Sequence, residues 1–157
     1  MDLSRYAHTE TTTVIAPPEV VYDLVADVTR MGEWSPVCTG AVWDDDQQLW
    51  FTGSNSTPQM TWETRCRVDS AERGRSFTFV NCGADGSTEL VRWTYRFEPQ
   101  AEGTSLSESW QVLEGFAPYM VAMAPSMDAE QYLDSIRQAT VDGMAHTLAQ
   151  LKAAAEA

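Results

Sequence analysis

The sequence is poor in basic residues and histidines, and each shortage excludes a class of function. Lysine and arginine number 10 against 23 aspartates and glutamates, for a formal net charge of −13. So acidic a surface repels phosphate backbones and anionic lipids, which argues against nucleic-acid binding and membrane insertion; it also favours solubility. His8 and His146 are the only histidines, no Cys/His cluster has zinc spacing, and no glycine-rich nucleotide motif is present. We therefore expect no metal and no cofactor.

Cysteines and long apolar runs are also scarce. Cys38, Cys66 and Cys82 form an odd set without a C-x-x-C pair, which indicates free thiols rather than a disulfide framework. No apolar run approaches the ~20 residues of a membrane span. The segment 1–6 lacks the basic and apolar regions of a signal peptide. Together these features predict a cytoplasmic protein.

Length and composition are those of one globular domain. The chain has 157 residues, of which 43% are hydrophobic and 21% charged, and it contains no repeat or low-complexity linker. We predict a single domain over residues 1–157.

The periodicity changes twice along the chain. A threonine-rich strand is predicted at 6–15, and Pro17-Pro18 then begins a short helix that ends near Asp27, followed by a helical turn at 29–34. Further strands are predicted at 37–43, 49–52, 60–71, 75–82, 88–98 and 104–113. Apolar residues from Met127 to Leu151 recur at helical spacing. The result is an α+β fold, in which a long C-terminal helix covers one face of a curved antiparallel sheet of about seven strands.

Alternation along the last two strands places one carboxylate among apolar side chains. Val91, Trp93, Tyr95 and Phe97 share a face, as do Leu106, Glu108, Trp110 and Val112. A buried charge must be paired or neutralised. Glu108 is therefore either the polar anchor of a ligand site or a structural carboxylate near a cavity mouth.

Many aromatic residues fall on the same predicted faces. They include Trp43, Trp62, Phe79, Trp93, Tyr95 and Trp110. They form either a pocket for a flat or lipid-like molecule or a plain aromatic core. The apolar segment 115–125, which is bounded by glycine and proline, suits a lid or entrance, or else an ordinary packed loop or an irregular first helical turn.

Several segments resemble the START-like, or Bet v 1-like (SRPBCC), superfamily, and most closely its polyketide cyclase/dehydrase and lipid-transport type. They are 15–27, 30–36, 72–77, 92–99 and 103–110. The resemblance implies the helix-grip fold, with a cavity between the sheet and the long helix. The residues we expect to line it are Trp62, Cys66, Phe79, Trp93, Tyr95, Glu108, Trp110, Phe116, Met120, Met123, Tyr132, Ile136 and Met144.

The resemblance leaves three functions open. The first is a non-catalytic carrier or sensor, monomeric or homodimeric, that binds a hydrophobic or aromatic small molecule. The second is an aromatase/cyclase-like enzyme acting on a polyketide, with Arg67 polarising a carbonyl and Glu108 as base; alternation instead places Arg67 on the outer face. The third is a partner-binding regulatory protein with an exposed apolar patch around Tyr119 and Met120.

Overall fold

Seven antiparallel strands form one sheet in the computed structural model, which describes residues 1–157. The strands are β1 (Ala7–Val14), β2 (Cys38–Trp43), β3 (Trp50–Ser56), β4 (Thr61–Glu72), β5 (Ser76–Asn81), β6 (Val91–Gln100) and β7 (Gly103–Val112). The helices are α1 (Pro18–Ala26), α2 (Phe116–Met123) and α3 (Ala129–Glu156), with 3-10 turns at Leu3–Tyr6 and Val28–Glu33. The strand order is β1-β7-β6-β5-β4-β3-β2. The predicted α+β helix-grip fold is confirmed.

Three local predictions differ from the structure. The polar run 53–56, which lies outside the predicted strands 49–52 and 60–71, belongs to β3, because its backbone pairs with β2 on one side and β4 on the other. The start of the predicted first strand is a 3-10 turn, in which the Asp2 side chain accepts a hydrogen bond from the Ser4 N–H. The segment 115–125, for which a lid, a packed loop or an irregular helical turn is expected, instead contains the regular helix α2.

The long helix covers the segment whose apolar spacing predicted it. Asp128 caps α3 by accepting a hydrogen bond from the Gln131 N–H at 2.9 Å. Its buried side chains include Leu133, Met144, Leu148 and Leu151, and the helix packs on β1 and β7. No helix combines the length and the apolar character that crossing a membrane requires.

Two buried clusters fill the space between the sheet and the helices. One joins α1, the sheet and the C-terminal half of α3, and includes Phe77, Leu106 and Leu148. The other joins α2, the N-terminal half of α3 and the opposite end of the sheet, and includes Trp110. Trp93 packs against both clusters and is only half-buried. The concave face of the sheet therefore retains accessible surface between them.

Candidate functional site

Two central strands place the candidate site on the concave face. In the β6–β7 register, Trp93 pairs with Trp110 and Tyr95 pairs with Glu108. Glu108 and Trp110 are 2% and 4% exposed, and both point toward the helix-covered side. The predicted inward face of these strands is confirmed, and with it the position of a carboxyl group inside an aromatic surface.

Glu108 is buried without a full set of hydrogen-bond partners. Its Oε2 atom is buried and has no partner. Burial is the main cause that raises the pKa of Glu108 from 4.5 to about 8; the neighbouring Glu10 acts in the same direction, and the Tyr95 hydroxyl acts in the opposite one. At neutral pH the carboxyl is therefore protonated, with one oxygen free for a ligand.

Glu108 on β7 begins a row of polar side chains that continues on β1 with Glu10 and His8. Glu10 is the register partner of Glu108, and it lies within hydrogen-bond distance of a histidine: His8 Nε2 and Glu10 Oε1 are 2.7 Å apart. The His8 and Glu10 side chains are 33% and 31% exposed, so the row runs from buried carboxyl toward solvent. Sequence reasoning missed both residues. Their signal was the alternation of β1, which places His8, Glu10, Thr12 and Val14 on one face.

Aromatic side chains line the concave face beside this row. Phe79 lies between Phe51 and Phe77, with ring centroids 5.1 Å and 6.1 Å away. Trp93, the register partner of Phe79, and Trp62 on β4 are half-buried. Since α3 packs on β1 and β7, the surface is more open toward β3 and β4 than near Glu108.

Cys66 lies on this face as an inert thiol. It is 3% exposed and belongs to the first buried cluster. Burial raises the pKa of the Cys66 thiol to about 12. The thiolate needed for nucleophilic attack is therefore absent at neutral pH, and Cys66 can only contribute packing surface.

Most of the predicted lining residues from the helices come together. The Phe116 ring stacks on Tyr132, with centroids 6.3 Å apart and an interplanar angle of 9°. Met144 is buried in the same cluster, while Met120 and Ile136 pack half-buried against it. The structure does not bring Met123 to this group: it is 65% exposed near the end of α2.

Helix α2 is attached to the loop between β5 and β6. The Ala84 N–H donates a hydrogen bond to the Tyr119 hydroxyl at 3.1 Å. Tyr119 and Met120, the predicted centre of a partner-binding patch, are half-buried. The strongly exposed apolar side chains of α2 are instead Val121 and Met123.

Arg67 lies on the opposite, convex face of the sheet. Its guanidinium contacts Asp69 Oδ1 at 2.8 Å and the Glu89 carboxylate. These hydrogen bonds raise the pKa of Arg67 further above its usual value, so it remains a cation. Its strand neighbour Cys66 faces the concave side, so Arg67 and Glu108 are on different sides of the sheet and do not form one site.

Two surface depressions lie outside the space beneath α3. One, of about 410 Å³, is at the end of β3 and β4, and its lining includes the convex-face residues Ser54, Ser56, Thr61 and Glu63 as well as Asn55 and Trp62. The other, of about 450 Å³, is at the turn between β6 and β7. The first depression therefore lies mainly on the convex side of the sheet edge, and Trp62 is the aromatic residue in its lining.

Comparisons with known proteins agree with this architecture. A family model described as polyketide cyclase/dehydrase and lipid transport matches residues 7–156. A polyketide-cyclase-like protein from Corynebacterium glutamicum is 36% identical, with a TM-score of 0.64 over 93% of this chain and 88% of that chain. A search of curated proteins finds no match.

Two more distant structures share the fold. An aromatase/cyclase from a Streptomyces species is 16% identical, with a TM-score of 0.69 over 96% of this chain and 93% of that chain. A START superfamily protein from Mycobacterium smegmatis is 13% identical, with a TM-score of 0.69 over 96% of this chain and 97% of that chain.

Proposed function

Because the chain belongs to the polyketide cyclase/dehydrase and lipid transport family, we propose that it binds a hydrophobic or aromatic small molecule on the concave face of its sheet. The observation that carries the proposal is Glu108, a buried carboxyl with an unpaired oxygen among aromatic side chains. A structural carboxylate would normally have both oxygens satisfied. A ligand with an apolar body and one polar end would complete its hydrogen bonding.

The proposed ligand body lies along Trp93 toward Trp62, where the concave face is half-buried. Burying apolar surface contributes roughly 25 cal/mol per Å², so a flat molecule covering these rings gains most of its affinity there. Tyr95 and Glu108 orient its polar end at the closed side of the site. Trp110, Phe79, Cys66 and the cluster around Phe116 and Tyr132 complete the lining.

We place this binding activity in the cytoplasm. All three cysteines are free and buried, and none is paired in a disulfide. Free thiols are typical of reducing compartments. In this proposal the protein is a carrier or sensor that requires no metal or cofactor to bind its ligand. The binding site is formed by residues of one chain.

Replacing Trp93 with leucine is expected to weaken binding of a neutral aromatic probe, acetylnaphthalene, about tenfold, since one stacked ring contributes roughly 1 kcal/mol or more. Isothermal titration calorimetry measures the change. Trp50→Leu is the matched control, because Trp50 contacts Arg65 on the convex face, 4.5 Å from ring centroid to guanidinium carbon. Equal affinity in wild type and Trp93→Leu, or loss in the control alone, contradicts the proposed site.

A second candidate function is an aromatase/cyclase-like reaction. The observation that favours it is that Glu108, protonated in an apolar site, could act as a general acid toward a leaving hydroxyl. The position of Arg67 does not favour its part in such a reaction, since it is paired with Asp69 and Glu89 on the convex face.

Arg67→Ala is therefore expected to leave both ligand binding and any turnover of a poly-β-ketone within about twofold of wild type, since surface ion pairs contribute little. Product formation is followed by chromatography, with Glu108→Gln assayed in parallel. A loss of turnover in Arg67→Ala at unchanged stability would show that the arginine acts in catalysis despite its position.

A further inference from the structure

The concave face carries two carboxyl groups, and His8 is the one basic side chain beside them. Glu108 on β7 and Glu10 on β1 are direct register partners, and both side chains are on that face. Arg65, Arg67, Arg92 and Arg96 alternate with concave side chains and therefore lie on the convex face. The other six basic residues are in turns or on helices: Arg5, Arg30, Arg73, Arg75, Arg137 and Lys152. No strand brings an arginine or lysine to the carboxyl pair.

This arrangement discriminates among polar ligand ends. A carboxylate or phosphate would meet two acidic groups and no arginine or lysine, in a chain of net charge −13. A cation would instead be attracted by the two acidic groups. The Glu108 Oε2 atom is buried without a partner, and Trp110 and Trp93 supply adjacent aromatic surface. Carboxylates combined with aromatic rings are the surroundings in which proteins bind organic cations.

We propose that the site takes an organic cation: a protonated amine carried on an aromatic or apolar body, with its nitrogen at Glu108 and Glu10 and its body on Trp93. This inference rests on the proposed function, since it names the polar end of the ligand for the same concave site. It excludes fatty acids and other anionic amphiphiles as preferred ligands.

Binding of the cation would be linked to the release of one proton. In the free protein at neutral pH, the Glu108 carboxyl holds a proton, because burial raises its pKa to about 8. The arriving ammonium group favours the carboxylate, and the displaced proton passes to solvent. His8 and Glu10, both about one third exposed, lie between Glu108 and solvent and offer a path for it.

Other titratable groups lie near β7, and the Glu108→Gln variant below separates the contribution of Glu108 from theirs. They are His8 and Glu10 on β1, Tyr95 on β6, Tyr6 in the first 3-10 turn and Tyr22 on α1. Tyr6, Tyr22 and Tyr95 have pKa values raised above 10, by a hydrogen bond to Asp134 for Tyr6 and by burial for the others. The fully buried side chains of α3 are not titratable: Ala129, Leu133, Met144, Thr147, Leu148 and Leu151. Helix α3 also contributes the half-buried Tyr132, whose pKa is raised by burial.

Three probes with one naphthalene body separate the possible ligand classes: naphthylmethylammonium, acetylnaphthalene and naphthoate. Calorimetry is expected to give the cation at least about tenfold tighter binding than either of the others at about pH 8. With a free-protein pKa of about 8, the affinity of the cation is expected to rise about 50-fold between about pH 6 and about pH 8. Titrations at about pH 7 in buffers of different ionisation enthalpy count the released proton.

Glu108→Gln is expected to abolish the rise with pH and to reduce binding of the cation at about pH 8 at least tenfold, with acetylnaphthalene affected less than about threefold. Glu98→Gln, an equal charge change at an exposed position on β6, is expected to retain the wild-type pH dependence. This pair distinguishes the action of one carboxyl from a general effect of the acidic surface.

The outcomes test the two proposals separately. Acetylnaphthalene that binds as tightly as the cation, with an affinity that falls above about pH 8, would show that Glu108 acts as a neutral hydrogen-bond donor. That result overturns the cation inference and leaves the proposed binding function standing. Preference for naphthoate overturns the inference in the same way. If no probe binds to the folded protein, the proposed function fails, and the inference fails with it.

Discussion

Replacing Glu108 with glutamine is expected to stabilise the protein by about 4 kcal/mol at about pH 8, while leaving its stability nearly unchanged at about pH 4. The side chain is 2% exposed, and its carboxyl is ionised readily in the unfolded chain but not in the folded one. Glutamine keeps the shape of the protonated carboxyl and can still form hydrogen bonds, but it does not ionise in the unfolded chain.

The direction of this effect follows from proton binding. Between pH 4.5 and about pH 8, the folded protein holds a proton on Glu108 that the unfolded chain has released. The free energy of unfolding therefore falls as pH rises, by about 1.4 kcal/mol per unit, and levels off above about pH 8. The contribution of the buried, neutral carboxyl is complete below the unfolded pKa and is lost as pH rises through the folded pKa.

Urea unfolding of wild type, Glu108→Gln and Glu98→Gln at about pH 4, about pH 6 and about pH 8 measures this contribution. The wild-type curve is expected to lose several kcal/mol over that range relative to Glu108→Gln. Glu98→Gln, exposed on the convex side of β6, is expected to follow the wild type. Parallel curves for wild type and Glu108→Gln would mean that Glu108 is ionised in the folded protein at neutral pH.

Gly103→Ala is expected to destabilise the protein by about 3 kcal/mol or more. Gly103 begins β7 with φ at +143°, a conformation that residues with side chains rarely adopt. A Cβ atom there would lie 2.1 Å from the carbonyl oxygen of Val14. Since that oxygen belongs to the backbone of β1, the clash can be relieved only by moving β1 and β7 apart. At this end of the pair, Thr104 Oγ1 also donates a hydrogen bond to the Ala16 carbonyl oxygen at 2.7 Å, which the movement would disturb.

Gly40→Ala is the matched control for this substitution. A Cβ atom added at Gly40 on β2 would meet nothing within 4 Å, and its φ is not positive. Its effect is therefore expected to lie within about 0.5 kcal/mol of zero, or to be slightly stabilising because alanine restricts the unfolded chain. Thermal unfolding of the two variants gives the comparison, and similar melting temperatures for both would refute the steric account.

These expectations connect stability with the proposed site. In a domain whose total stability is about 5–15 kcal/mol, a carboxyl that costs about 4 kcal/mol at about pH 8 is a large burden. Replacing it with an apolar side chain would remove that cost. A bound cation would remove it too, by pairing with the carboxylate, so ligand binding and the pH dependence of folding are linked through the same atom.

The amino-acid sequence by itself determined the elements whose pattern is local. Period-two alternation assigned Glu108 to the inward face and Arg67 to the outward one, and helical spacing after Asp128 identified α3. Both follow from short-range geometry, since successive side chains on a strand alternate and those on a helix recur every three or four residues. The family resemblance then predicted that the sheet and the helix pack together.

Only the tertiary structure decided which distant residues meet. Glu10 and Glu108 are 98 positions apart and become neighbours through the β1–β7 register, which depends on how the first and last strands pair. The segment 53–56 became strand because two partners pair with its backbone, although its composition favours a turn. Strand pairing joins residues far apart in the chain, and no local pattern specifies it. The acidic pair on the concave face therefore became visible only in the folded chain.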